Sequence, residues 1–74
     1  MKSYKIIRTV READGTETAA QTISTKQTEQ AAANYLERLA RLAQSRPRFE
    51  RVKLYARTMT AREHSGRIFK FAIK

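Results

Sequence analysis

The chain has 74 residues, with 16 Lys or Arg against 7 Asp or Glu, one His and no Cys, for a formal net charge of +9. A length of this order forms one small domain, 1–74, whose core is marginal on its own. Without Cys there is no disulfide framework, thiolate zinc site or thiol nucleophile, and no apolar run approaches the roughly 18–20 residues of a membrane span. The first residues, MKSYKIIRTVREADG, lack the apolar stretch of a signal peptide, so a cytoplasmic protein without membrane contact is expected.

Ser3 to Arg11 (SYKIIRTVR) is rich in β-branched residues and leads into Asp14-Gly15, a turn dipeptide in which Gly accepts positive φ. Glu17 to Ser24 reads as a weaker return strand, giving a hairpin. The alternation of the first strand is irregular. Tyr4, Ile6 and Val10 share a face with Arg8, while Ile7 falls on the other. Either a bulge shifts the register or both faces are partly covered.

Ser24 with Gln27 fits a capping box, and about Gln27 to Gln44 is rich in helix formers. Ala32, Leu36, Leu39 and Ala43 form the apolar stripe, flanked by Tyr35 and Leu42. Pro47 ends the helix by driving Arg46 out of the α region.

Glu50 to Met59 alternates as a strand, with Val52, Leu54 and Ala56 on one face and Arg51, Lys53, Tyr55 and Arg57 on the other. The polar stretch Thr60 to Gly66 reads as a loop. In the last strand, Arg67 to Lys74, Phe69, Phe71 and Ile73 form the apolar face, and Ile68, Lys70, Ala72 and Lys74 form the other. The order ββαββ predicts an α+β fold: a four-stranded antiparallel sheet, spatial order 2-1-3-4, with one helix packed on one face.

Charge is distributed unevenly along this order. Residues 1–25 and 26–45 each net +1, whereas residues 46–74 set nine Lys or Arg against Glu50 and Glu63, a net +7. On the predicted sheet the uncovered face carries Arg51, Lys53, Tyr55 and Arg57, with Lys70 and Lys74 alongside and Lys5 joining them. Arg46 and Arg48 extend the patch at one edge, and Arg62 stands in a loop beside it. Alternate residues on a strand are about 6.6 Å apart, close to the phosphate repeat of an extended single strand. Guanidinium forks suit phosphate oxygens, and a tyrosine among cations suits base stacking. A solvated antiparallel face is ordinarily polar; the size of the charge excess is what favours a polyanion.

The reading is a small, basic, non-enzymatic protein that contacts nucleic acid (DNA or RNA), or a nucleic-acid-loaded complex, by backbone charge and stacking. No second helix is present for a helix-turn-helix, and no zinc-finger spacing occurs. The alternative is a phage- or mobile-element-type inhibitor module docking on an acidic host protein or complex. The same aromatic–basic face also permits a homodimer buried sheet against sheet.

Catalytic chemistry finds little support. His64 stands in a polar loop, and one His without Cys makes no ordinary zinc site. Ser65 has no evident base or acid partner for a triad. Glu12, Asp14 and Glu17 flank a turn, where acids are common. No P-loop or GxGxxG occurs. No enzyme activity, cofactor or metal is expected.

Overall fold

A computed structural model describes residues 3–74; Lys2, counted in the charge above, lies outside the described residues. The chain runs β1 (Tyr4–Arg11), β2 (Gln21–Lys26), α1 (Glu29–Gln44), β3 (Phe49–Leu54), β4 (Thr58–Glu63) and β5 (Ile68–Ile73). It is an α+β fold with one helix and one antiparallel sheet of five strands, ordered β2-β1-β5-β4-β3. The four strands and the 2-1-3-4 order expected from the sequence are corrected on both counts. The stretch expected as one strand to Met59 turns after Leu54, where the Tyr55 N–H donates to the Thr58 oxygen (2.8 Å). The expected loop 60–66 is mostly β4. The first strand after the helix therefore lies at the far edge, and β5 fills the centre, paired with both β1 and β4.

The bulge anticipated near Ile7 exists, but its extra residue is on the partner strand. Ile6 faces Ser24 and Ile7 faces Thr22, so Ile23 is the unpaired residue of β2. Ile23 packs against the core from there. β1 keeps its alternation, with Ile6 fully buried under the helix and Ile7 on the opposite face.

The helix starts later than the capping-box reading placed it, because Ser24 to Lys26 belong to β2. Thr28 is the N-cap, in extended conformation, and its hydroxyl accepts the Ala31 N–H. Glu29 in the first turn suits the positive end of the helix dipole. The inward stripe is Ala32, Leu36, Ala40 and Ala43; Leu39 is half-buried and Leu42 is 51% exposed. The core is correspondingly thin. Ile6, Leu36 and Met59 are its large, fully buried side chains, each contributing about 1.5–3 kcal/mol by burial.

One end of the sheet is closed by two turns of the same design. In each, a β-turn closes onto a glycine with positive φ, Gly15 (φ 94°) after Glu12 and Gly66 (φ 97°) after Glu63. The Gly15 N–H donates to Glu12 O (2.9 Å) and the Gly66 N–H to Glu63 O (3.0 Å). This is the three-residue hairpin loop with its glycine bulge. The turns pack on each other: a Cβ at Gly66 would lie 3.2 Å from the Ala13 Cβ, and Arg67 Nε donates to Glu12 Oε2 (2.9 Å). Among the described residues no helix is long and apolar enough to cross a membrane.

Candidate nucleic-acid interface

The helix lies on one side of the sheet only, so register decides what the other side displays. Arg51 faces Arg62, Arg62 faces Ile68, and Ile68 faces Arg11, which forms one row across four strands. The next row is Lys53, Thr60, Lys70 and Thr9. Thr58, Ala72, Ile7 and Thr22 form a third, with Tyr55 at its end opposite Thr58. Lys74 and Lys5 exchange backbone hydrogen bonds (2.9 and 3.0 Å) and, with Thr25, make the fourth. Neighbours within a row are about 4.8 Å apart and rows about 6.6 Å apart.

This open face thus gathers seven cations: Lys5, Arg11, Arg51, Lys53, Arg62, Lys70 and Lys74, all exposed. Two acids reach it. Glu50 lies 3.6 Å from Arg62 Nε, and Glu17, opposite Arg11 in an isolated backbone pairing, lies 3.8 Å from Lys70 Nζ. Lys5, Arg11, Arg51, Lys53 and Lys74 enter no ion pair among the described residues, and their charge stays uncompensated. Between the cations lie threonine hydroxyls and small aliphatics. Ile7, Thr9, Thr58, Thr60, Ala72 and the two lysines 70 and 74 line a shallow dish of about 370 Å³ at the centre. Phosphate oxygens can meet the cations while sugars and bases lie over hydroxyls and carbon.

Of the residues expected at the site, Arg51, Lys53, Lys70 and Lys74 share this face. Tyr55, 55% exposed, stands at its rim on the β3–β4 turn. Arg57 does not join them. The turn at 55–58 breaks the alternation, and Arg57 Nη1 donates to Glu29 Oε1 (3.1 Å) at the start of the helix. Arg46 and Arg48 line a groove on the helix side instead. Arg48 stacks over the Phe49 ring (4.9 Å) and lies 3.7 Å from Glu63. The sequence reading missed Arg11 and put Arg62 in a loop. Met59 and Ala61, inward and buried, alternate with Thr60 and Arg62 and were the signal for the strand that carries Arg62. His64 lies exposed on the β4–β5 turn, its N–H donating to Arg48 O (3.1 Å). Asp14, on the other glycine turn, is held below the usual carboxylate range by the Thr16 N–H it accepts.

No family model, curated protein or solved structure matches the chain.

Proposed function

We propose that this is a small non-enzymatic nucleic-acid-binding protein, cytoplasmic, that holds the sugar–phosphate backbone across its open sheet face. The observation that carries the reading is the imbalance there: seven cations against two acids, with five of the cations outside any ion pair among the described residues. The phosphate repeat of an extended single strand is close to the row spacing of about 6.6 Å. Tyr55 at the rim adds a stacking platform, which favours single strands. A sheet-on-sheet homodimer is disfavoured, because it would set the same net +5 surface against itself.

The test is a salt titration of binding to short single-stranded RNA, single-stranded DNA and duplex DNA. Five to seven phosphate contacts predict a slope of log K against log salt of about −3.5 to −5 on single strands. Absence of binding at low salt overturns the reading. Binding that ignores salt overturns the backbone mechanism.

A further inference from the structure

The helix covers only part of its own side of the sheet. Five strands span about 19 Å, and one helix with its side chains about 10–12 Å. What remains, beside the C-terminal half of α1 and over β5 and its neighbours β1 and β4, is a groove of about 210 Å³. Its floor and walls are carbon from Phe69, Phe71, Leu39 and Leu42; the phenylalanines are half-buried and Leu42 is half in solvent. Three arginines stand around that carbon, Arg8, Arg46 and Arg48; among the described residues no acid lines it, and Glu63 is paired with Arg48.

We propose that this groove receives one bulky apolar side chain from an acidic peptide segment of a protein partner, whose flanking carboxylates meet Arg8 and Arg46. The volume is below that of a small-molecule pocket, roughly 300–1,000 Å³, and suits a single anchoring side chain. Charge complementarity fixes the rest of the ligand. Arg8 is oriented by a bond to the neutral Gln21 amide (2.8 Å), so its charge is free for a carboxylate. Arg48 stacks on Phe49, whose ring meets Phe69 edge-on at 5.8 Å, and is already paired with Glu63 (3.7 Å), so it walls the groove and leaves the carboxylates to Arg8 and Arg46. Arg46 enters no ion pair among the described residues and is exposed. The groove lies across the sheet from the seven-cation face, so both can be occupied at once. The proposal does not depend on nucleic-acid binding.

The probe is a peptide with one tryptophan between two pairs of glutamates, titrated into the ¹⁵N-labelled full chain by NMR. Shifts are expected at Leu42, Arg46 and Phe71, with Thr25 and Lys53 of the opposite face unmoved. Leu42→Glu and Arg46→Glu, both at exposed positions, are each expected to weaken binding about tenfold or more while melting normally. Replacing the tryptophan by serine is expected to do the same, and Arg51→Glu to change nothing. If Leu42→Glu fails to melt normally, Arg46→Glu decides. No shifts, equal binding of the serine peptide, or competition by an oligonucleotide overturns the proposal.

Discussion

The two sides of the sheet carry similar numbers of cations and treat them differently. On the open face seven cations meet Glu17 and Glu50. The helix side and the turns hold eight (Arg8, Lys26, Arg38, Arg41, Arg46, Arg48, Arg57 and Arg67) against five acids. Four of these eight are in ion pairs that join separate elements or successive helical turns: Arg41–Glu37, Arg48–Glu63, Arg57–Glu29 and Arg67 with both Glu12 and Glu63. The lesson is that net charge does not locate a binding surface. The placement of the acids does, because a cation beside a carboxylate presents little field to a ligand.

If one side chiefly holds the fold and the other chiefly binds, substitutions should sort by side. The largest effect is expected from Leu36→Ala under the helix. It should cost about 2–5 kcal/mol in denaturant unfolding, and nucleic-acid affinity of the molecules still folded should not change. The triple change Arg51→Ala, Lys53→Ala, Lys70→Ala should do the converse. The salt slope should fall by about 2–3 with little change in melting; a large loss of stability would break the comparison. Gly66→Ala comes next, at about 1–2 kcal/mol for a left-handed alanine. It should exceed Gly15→Ala in a thermal melt, because a Cβ at Gly15 meets nothing within 4 Å while one at Gly66 presses on Ala13. Arg57→Ala should lower stability by at most about 1 kcal/mol, since its ion pair is exposed, and should leave the salt slope unchanged. A drop in slope would return Arg57 to the binding row. The smallest effect concerns acid. Asp14 titrates lower when folded than when unfolded. Its contribution is therefore complete above the ordinary carboxylate range and is lost as pH falls through the folded value. Asp14→Ala should flatten the acid limb of stability against pH.

Much of this architecture is legible in the residues. The Asp14-Gly15 turn, the helix stripe and the alternation of the last strand each carry a local signal with a physical cause. The β3–β4 turn does not. Ala56-Arg57 contains no Gly, Pro, Asn or Asp, and among the described residues no non-glycine residue has positive φ. Alternation then runs straight through it, and Arg57 is carried onto the wrong face. β4 hides for a related reason. Its inward residues include small Ala61, and its outward ones, Thr60 and Arg62, resemble a loop. With a strand missing, the central place of β5 could not be deduced, because pairing depends on how many strands compete for it. Arg51, Lys53, Lys70 and Lys74 still share a face because they sit within strands whose alternation was legible.

Pairing of β1 with β5 also has a kinetic consequence. Ile6 and Ile73, near opposite ends of the chain, are cross-strand neighbours at the centre of the sheet. The two hairpins β1–β2 and β3–β4 can form from local contacts, but the sheet that joins them waits for β5. Loop closure of that length precedes its reward. Folding should therefore be slower than helix formation alone would suggest, and a chain lacking the last strand should lose the common core, since neither remaining hairpin is stable alone.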